Sequence, residues 1–204
     1  MRKVFISIML GQKLVENEYI SDDFDLKGQQ FYFPMTYLLN NNVSKGDKVL
    51  VLTAVEKGND INHISLDNYE KYKAEVNKVV ETKGVTAEFQ EIMTDDEFTV
   101  FTGKGFFKEI VKFLQDDDSL YADFTFGIKI FTISMFIALN YVVSANKNVN
   151  IKHIIYSWKY SSAVTPEKAK QSKIYDVTSL FFINSIAAQL NEGDRKSIDK
   201  MLGL

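Results

Sequence analysis

Cysteine is absent from this chain of 204 residues, and histidine occurs only twice. Without thiols, the chain cannot form disulfides, thiolate zinc sites or iron–sulfur clusters, and it has no cysteine nucleophile. His63 and His153 alone are too few for a multi-histidine metal site, and they argue against a Ser-His-Asp triad. The lack of cysteine also fits a reducing compartment. We therefore predict no metal site and no cofactor.

Proline and glycine are scarce as well, with 2 and 10 residues, whereas 46% of the residues are hydrophobic and 25% are charged. These proportions exclude a disordered, collagen-like or low-complexity chain. A chain of this length buries roughly 70% of the surface of its unfolded state, which is enough for a core without covalent cross-links. We predict one domain over residues 1–190 and a C-terminal tail, or the start of a linker, over residues 191–204.

The chain lacks a strong net charge and a long hydrophobic run. Its net charge is −3, which argues against binding of duplex nucleic acid but leaves room for a local basic pocket. The longest apolar run, Ile130–Val143, is interrupted by polar residues and is shorter than the ~20 residues of a membrane span, so it is interpreted as a core helix. The N-terminal run is not followed by a signal-peptide cleavage site. We predict a cytoplasmic protein without a membrane partner.

Short β-branched runs alternate with segments in which apolar residues recur at every third or fourth position. The runs predict strands and the periodic segments predict helices. Strands are predicted at residues 4–9, 47–54, 85–93, 120–125 and 149–158, and helices at 34–39, 66–83, 106–114, 129–145 and 176–190. Crossovers of this length require parallel pairing and right-handed connections. The predicted fold class is α/β, a Rossmann-like and mainly parallel sheet with helices on both faces.

Ligands of open parallel sheets bind beyond the carboxyl ends of the strands, so the loops there carry the candidate residues. The first loop, Met9–Lys13, follows the first predicted strand. Gly11 lets backbone N–H groups approach a phosphate or a base, and Gln12 and Lys13 supply donors. A glycine after a strand is also the ordinary residue of a turn. The first loop alone therefore does not distinguish a binding loop from a turn.

The second candidate is the junction Thr125–Lys129, where a strand passes through Gly127 into a helix. The N-terminus of a helix attracts anions, and Lys129 adds a full charge there. A cation is unfavourable at this end of the helix dipole, and a bound anion would remove the conflict. In the structural alternative, Asp123 and Thr125 cap backbone groups while Lys129 extends into water. Neither segment matches a P-loop or the pattern G-x-G-x-x-G.

Asp123, Thr125, Gly127 and Lys129 follow the pattern Asp-x-Thr-x-Gly-x-Lys and precede a long apolar helix. This pattern resembles the signature of CARF domains, the CRISPR-associated Rossmann-fold sensors of cyclic oligoadenylates. The resemblance covers nearly the whole chain, from about residue 2 to residue 190. Phe126 stands where many relatives carry a second glycine, a departure that concerns the size and pose of the ligand more than the fold.

The resemblance implies a homodimer that binds a cyclic oligoadenylate, most often cyclic tetra-adenylate, as the sensor of a type III CRISPR antiviral response. Lys129 would meet phosphates, and backbone groups near Gly11 and Gly127 would approach the ring. Trp158 would stack on a base or pack in the core or the dimer interface, and Tyr32 and Tyr37 have the same two roles open. The residues that would line the pocket are Ser7, Met9, Leu10, Gly11, Gln12, Lys13, Thr53, Thr125, Phe126, Gly127, Ile128, Lys129 and Trp158.

Some members of the family also cut their ligand. A 2′-hydroxyl attacks the adjacent phosphate when a protein enforces in-line geometry and stabilises the developing charge. Lys129 would then be the electrostatic group and Ser7 or Gln12 the positioning group, although the sequence offers no evident general base. Four hypotheses stay open: a sensor within a longer effector, a stand-alone ring nuclease, a mononucleotide-binding protein unrelated to CRISPR, and a ligand-free transcriptional or assembly module.

Three polar segments are weaker candidates. Asp95–Glu97 and Asp116–Asp118 lack the spacing of a calcium loop and are interpreted as solvated acidic turns. Thr102–Gly105 has the composition of a phosphate-binding loop but lacks the upstream glycine of a P-loop.

Overall fold

A computed structural model describes residues 1–9, 11–14, 17–26, 30–56, 64–94, 100–159, 171–189 and 200. Within these ranges, one seven-stranded sheet is covered by five helices, which confirms the predicted α/β class. The strands are β1 (Arg2–Ile8), β2 (Glu18–Ile20), β3 (Lys48–Glu56), β4 (Ala87–Thr94), β5 (Ser119–Asp123), β6 (Asn150–Lys159) and β7 (Gln171–Asp176). The helices are α1 (Pro34–Asn42), α2 (Ile64–Thr82), α3 (Val100–Phe113), α4 (Lys129–Ala145) and α5 (Thr178–Gln189).

The strand order of the sheet is β2-β7-β6-β5-β1-β3-β4. The five strands from β6 to β4 run parallel to one another, whereas β7 is antiparallel to β6. The chain winds outward from β1 through β3 to β4 and then returns to the other side of β1 to form β5 and β6. The winding direction therefore reverses between β1 and β5, and this topological switch point is where such sheets bind ligands.

Successive side chains of the central strands point to opposite faces of the sheet and belong to two separate cores. Phe5 of β1 belongs to the first core, which lies between the sheet and helices α1 and α2. Its neighbour Ile6 belongs to the second core, which lies between the sheet and helices α3, α4 and α5. Because both faces of the central strands are buried, their sequences are apolar almost without interruption. This continuity is what makes them recognisable in the sequence.

Two strands, β2 and β7, have no counterpart among the predicted strands. The edge strand β2 has only three residues, and β7, which lies between β2 and β6, is largely polar, so neither contains an apolar run. They are held by contacts between residues far apart in the chain. Ser21 donates a hydrogen bond to the carbonyl oxygen of Ile174, 2.8 Å away, and Lys173 pairs with Asp22. Such tertiary contacts leave no periodic pattern in the sequence.

Helix α3 begins at Val100, well before the predicted start at Phe106. Thr102–Gly105, a weaker candidate because it lacks the upstream glycine of a P-loop, therefore lies inside a helix and not in a loop. A Cβ at Gly103 would lie 2.9 Å from Ser134 Oγ and 3.0 Å from Ile130 Cγ1. The glycine at this position is thus explained by the close approach of α3 to α4.

The acidic turn 116–118 is not wholly solvated, contrary to the prediction. Asp118 is buried and accepts hydrogen bonds from the Arg2 guanidinium at 2.6 and 2.7 Å and from the backbone N–H of Gln115 at 2.8 Å. Leu10, His63, the segment 95–97 and, apart from residue 200, the predicted tail lie outside the described residues. Among the described helices, none combines the length and the hydropathy that crossing a membrane requires.

Candidate functional site

The C-terminal end of β1 and the junction Thr125–Lys129 contact each other at the switch point. Gly127 has a φ of 90°, in the region that favours glycine. A Cβ at this position would lie 2.3 Å from Ile8 Cγ2, at the last residue of β1. Only glycine therefore fits both the backbone conformation and the space. The structure therefore brings the junction against the last residue of β1, directly before the first loop.

The first loop presents its polar residues to solvent. Met9 is buried, and its backbone N–H donates to the carbonyl oxygen of Ala54 in β3, 2.8 Å away. Gly11, Gln12 and Lys13 are exposed. The Asn68 side chain of α2 donates to the carbonyl oxygen of Gln12 at 2.9 Å, so α2 holds the loop in place. The side-chain donors of Gln12 and Lys13 remain available at the surface.

Hydrogen bonds pin the junction to β6. The backbone N–H of Phe124 donates to the carbonyl oxygen of Ile155 at 2.9 Å, which continues the pairing of β5 with β6. The backbone N–H of Thr125 donates to Asp123 Oδ1 at 2.8 Å. Thr125 Oγ1 accepts a hydrogen bond from the backbone N–H of Ser157 at 2.9 Å. The threonine of the signature thus serves the structure of the junction through its hydroxyl.

Asp123 lies inside the protein and does not face a ligand at the surface. Its burial raises the pKa of the carboxyl group to about 6, although hydrogen bonds from Thr125 oppose this rise. Asp123 is 2% exposed, so its carboxyl group is enclosed by the protein.

The N-terminus of α4 is the exposed, positive part of the junction. Its N-cap residue Ile128 makes no side-chain capping bond, and its first turn contains no acidic residue. Lys129 is exposed there. The half-buried side chains of Phe126 and Ile128 pack against the first and the second core, respectively. Uncapped N–H groups beside an exposed ammonium suit the binding of an anion such as a phosphate.

Ser7 and Thr53 lie in the protein interior and not at the surface of the site. They are neighbours in register on β1 and β3, and both are buried. The hydroxyl of Ser7 faces Tyr72 of α2: burial raises the pKa of Tyr72, and Ser7 opposes that rise. Neither Ser7 Oγ nor Thr53 Oγ1 makes a well-formed hydrogen bond to another described residue. These two predicted site residues therefore belong to the interior beneath α2.

The predicted aromatic residues divide between surface and core. Trp158 is 55% exposed. It lies on β6, three residues beyond Ile155, which pairs with the last residue of β5, so it extends past the carboxyl end of β5. Tyr37 is buried, and its hydroxyl accepts a hydrogen bond from the backbone N–H of Phe31 at 3.1 Å. Tyr32 is exposed.

Tyr32 lines a groove of about 740 Å³ between α1 and α2. The groove also contains Leu14, which follows the first loop, but none of the residues of the junction. It is therefore separate from the candidate site, which is an open surface at the switch point.

Helix α4 exposes an apolar ridge that the sequence analysis missed when it assigned this helix to the core. Ile133, Ile137 and Tyr141 are 55%, 52% and 50% exposed, and with Lys129 they recur at every fourth position. Residues at this spacing lie on one face of a helix, so Lys129 stands at the head of the apolar ridge. The sequence did contain a signal for this exposed ridge. Apolar residues occur on every side of the helix, so whichever side faces outward exposes apolar side chains.

Helix α5 extends the exposed apolar surface beside this ridge. Leu180 is 63% exposed, and Ile183 is partly exposed. Ser185 Oγ of α5 donates to Asn140 Oδ1 of α4 at 3.1 Å, which places the two helices side by side. Apart from Lys129, the two helices contain no charged residue. A continuous surface of this kind typically marks an interaction site.

The candidate site thus combines an uncapped helix N-terminus, an exposed lysine, a glycine that contacts the end of β1 and an adjoining apolar face. Compared by sequence, the chain matches no protein-family model and no curated protein.

Proposed function

We propose that this chain binds a cyclic oligoadenylate, with cyclic tetra-adenylate favoured, at a homodimer interface, as the sensor of a type III CRISPR antiviral response. The observation that carries the proposal is the contact between Gly127 of the junction and Ile8, which places the first loop beside the N-terminus of α4. This is the position at which open parallel sheets bind nucleotides, and it is where the Asp-x-Thr-x-Gly-x-Lys signature lies in this chain.

The charges at this surface support a polyanionic ligand. Lys13 and Lys129 are exposed in the two segments. The carboxylate of Asp123 is buried, so a bound phosphate does not meet it at the surface. Charge-assisted hydrogen bonds to phosphate are stronger than neutral ones. Trp158, exposed at the end of β6, supplies a ring on which a base stacks.

The apolar ridge supports the homodimer. Lys129 lies at the N-terminal end of the ridge, so a second copy that packs on α4 about a two-fold axis parallel to the helices would bring both lysines and both helix N-termini toward one ligand. A symmetric interface of this kind is self-complementary. The lack of other charges on α4 and α5 means that two copies of this face meet without repulsion between like charges.

Cleavage of the ring is the alternative within the same site. Ser7 is buried beneath α2, which favours Gln12, exposed in the first loop, as the positioning group beside Lys129. In-line attack by the ligand's own 2′-hydroxyl would form a P–O2′ bond and break the P–O5′ bond, leaving a 2′,3′-cyclic phosphate and a 5′-hydroxyl, with the proton of the attacking hydroxyl passing to the leaving oxygen through solvent. The sensor and the ring nuclease therefore share a binding site and differ in the fate of the ligand.

The test is calorimetric titration of the purified protein with cyclic tri-, tetra- and hexa-adenylate, followed by mass spectrometry of the same mixtures. We expect one ring to bind per dimer. Intact ligand indicates a sensor, and linear products indicate a ring nuclease. Absence of binding to every ring contradicts the proposal, and binding of a mononucleotide by a monomer supports the hypothesis unrelated to CRISPR.

Lys129→Ala identifies the site of binding. We expect at least about tenfold weaker binding of cyclic tetra-adenylate, since the variant loses a charge-assisted contact. Lys108→Ala is the matched control, because Lys108 is also an exposed helical lysine but lies on α3. Equal affinities of the two variants would remove Lys129 from the site.

A further inference from the structure

The groove between α1 and α2 has the size of a small-molecule site. Its volume of about 740 Å³ lies within the range of about 300–1,000 Å³ that is typical of ligand pockets. Helix α2 contributes a stripe of residues that lie on one face of the helix: Lys71, Ala74, Glu75, Lys78, Val79 and Thr82. From Lys71 to Thr82 the stripe extends about 16 Å along the axis of α2, at a rise of about 1.5 Å per residue. The groove is therefore long and follows one helix face.

The segment that leads into α1 forms the opposite wall of the groove, and hydrogen bonds hold its backbone. The N–H of Tyr32 donates to Glu75 Oε2 at 2.7 Å, and its carbonyl oxygen accepts a hydrogen bond from the Tyr19 hydroxyl at 3.1 Å. The N–H of Phe31 donates to the Tyr37 hydroxyl at 3.1 Å. The Tyr32 side chain is nevertheless 52% exposed. This wall is thus preformed, which lowers the cost of ordering it when a ligand binds.

The charges of the groove favour an anion with a single charge. Lys71 and Lys78 are exposed, and neither forms an ion pair with another described residue. Glu75 lies between them in the stripe, but its two oxygens accept the backbone N–H groups of Tyr32 and Phe33. Its carboxylate therefore holds the wall, and the two lysines leave an excess of one positive charge. A polyanion would meet this carboxylate as a like charge, which is unfavourable.

The other side chains of the groove favour an aliphatic chain. Leu14, Ala74 and Val79 line the groove, and Phe31 and Tyr32 add aromatic rings. Ala74 is small, so it leaves space in the middle of the stripe. Apolar side chains arranged along one helix face remove successive methylene groups of a linear chain from water, and each such group adds to the affinity.

We propose that this groove is a binding site for a linear aliphatic carboxylate of medium chain length. The chain lies along Ala74 and Val79 against the ring of Tyr32. The carboxylate meets the ammonium group of Lys71 or of Lys78 at the rim. The inference goes beyond the proposed function and does not rest on it, because no residue of the junction lines the groove.

The experiment titrates the full chain with decanoate, decanol and decyltrimethylammonium, which share an aliphatic chain and differ in charge. Calorimetry below the concentrations at which these compounds form micelles measures the affinities. We expect one decanoate to bind per chain, and the cation to bind at least about tenfold more weakly. Decanol, which is neutral, should have an intermediate affinity. Absence of decanoate binding, or equal affinities for all of these compounds, overturns the proposal.

Nuclear magnetic resonance of the isotope-labelled chain locates the bound decanoate. Amide chemical shifts should change at Phe31 and Tyr32 and along residues 71–82 of α2, the two walls of the groove. Decanoate also has an exposed apolar ridge on α4 within reach. Shift changes confined to that ridge would show that the ligand covers exposed apolar surface without using the groove, and they would overturn the proposal.

Ala74→Trp fills the groove and should weaken decanoate binding at least about tenfold. Asn77→Trp is the matched control, because Asn77 is also exposed on α2 but does not line the groove. Since both positions are exposed, neither tryptophan enters the core. Equal decanoate affinities of the two variants overturn the proposal. The proposal also fails if Ala74→Trp weakens self-association in sedimentation velocity and leaves decanoate binding unchanged, because a second copy of the chain then covers the groove.

The lysines are tested by combining Lys71→Gln with Lys78→Gln. The combined variant should bind decanoate about fivefold more weakly, the effect of one exposed charge contact, and should bind decanol as the wild type does. Lys45→Gln combined with Lys108→Gln is the control, because it removes two exposed lysines that do not line the groove. An equal loss of decanoate affinity in both combinations, or no loss in either, contradicts recognition of the carboxylate by the rim.

Discussion

Asp123, the last residue of β5, and Thr125 have a counterpart in Asp176, the last residue of β7, and Thr178. In both pairs the threonine backbone N–H donates to the aspartate two positions earlier, at 2.8 Å in the first pair and 2.9 Å in the second. Each pair leads into a helix of the second core, α4 or α5. The same three-residue pattern, Asp-x-Thr, therefore produces the same local turn twice.

The two threonines also bind the same strand. Thr125 Oγ1 accepts the backbone N–H of Ser157 at 2.9 Å, and Thr178 Oγ1 accepts that of Ile154 at 2.7 Å. Strand β6 is thus fastened to a helix start on each side. This part of the arrangement depends on the hydroxyl and the backbone alone, so it is the same at both positions.

The electrostatics of the two aspartates are opposite. Burial raises the pKa of Asp123 to about 6. For Asp176 burial acts in the same direction, but the hydrogen bonds from His153, at 2.7 Å, and from Thr178 outweigh it and hold the pKa below its ordinary value. The Asp-x-Thr pattern therefore determines the local turn, whereas the residues packed around each aspartate determine the direction in which its pKa shifts.

The strongest effect is expected from a substitution at Gly127, two residues after the first pair. Gly127→Ala should lower the free energy of unfolding by about 4 kcal/mol, because the new methyl group meets Ile8 and the residue has a positive φ. Urea unfolding measures the loss. The control is Gly105→Ala in α3, where a Cβ meets nothing within 4 Å and should stabilise the helix by about 1 kcal/mol. Similar losses in both variants would contradict the close approach at Gly127.

The next effect is the pH dependence of stability, in opposite directions for the two aspartates. Asp123 has a folded pKa of about 6 against an ordinary value of 3.8, so its contribution to stability is full below pH 3.8 and is lost as the pH rises to about 6. The loss amounts to about 3 kcal/mol. Asp176, with its lowered pKa, contributes stability above 3.8 that is lost as the pH falls through its folded value.

Urea unfolding at a series of pH values tests both signs. The difference in unfolding free energy between wild type and Asp123→Asn should change between about pH 4 and pH 6, and that between wild type and Asp176→Asn should change below about pH 4. Parallel profiles for the two variants would show that the aspartates do not differ in charge environment.

A smaller effect should be common to both pairs. Thr125→Val and Thr178→Val keep the shape of the side chain but leave the N–H of Ser157 or of Ile154 without its acceptor. Each should cost about 2 kcal/mol of unfolding free energy, the penalty of one buried unpaired N–H group. A serine at either position, which retains the hydroxyl, should recover most of the loss. A cost in only one of the two valine variants would show that the pairs differ in their bonds as well as in their charges.

The smallest effect is expected on self-association through α4, the helix that follows the first pair. Ile137→Glu places charge on the apolar ridge and should weaken self-association at least about tenfold, equivalent to about 1.4 kcal/mol. Because Ile137 is exposed, the unfolding free energy of the monomer should not change. Sedimentation velocity over a range of concentrations measures the association. Tyr32→Glu, an exposed aromatic outside the ridge, is the control, and equal association of both variants would contradict the proposed dimer face.

Much of the fold was predictable because its central strands are buried on both faces. Strands β1, β3 and β5 read as continuous apolar runs, and each is followed by a turn signal. Strands β2 and β7 escaped prediction, because β2 has only three residues and β7 is largely polar, so neither forms such a run. The start of α3 was misplaced for a related reason: Gly103 and Gly105 predict a loop unless the approach of α3 to α4 is known.

The candidate site was predictable in its loops but not in its side chains. Gly11, Lys13, Gly127 and Lys129 follow strand ends in the sequence, and the structure places them at the switch point. Ser7, although equally close to a strand end, points inward because strand side chains alternate and its face is covered by α2.

The sequence by itself determined the α/β class, the glycine-containing junction and the positive N-terminus of α4, since periodicity, turn residues and the helix dipole are local properties. The tertiary structure was needed to show that Gly127 meets Ile8, that Asp123 is buried, and that the outer face of α4 is exposed. These features depend on which segments become neighbours, and hydrophobic pattern specifies burial without specifying the partner. The charge state of Asp123 follows from that same packing, because a pKa is set by the groups that surround a carboxyl and by the water they exclude.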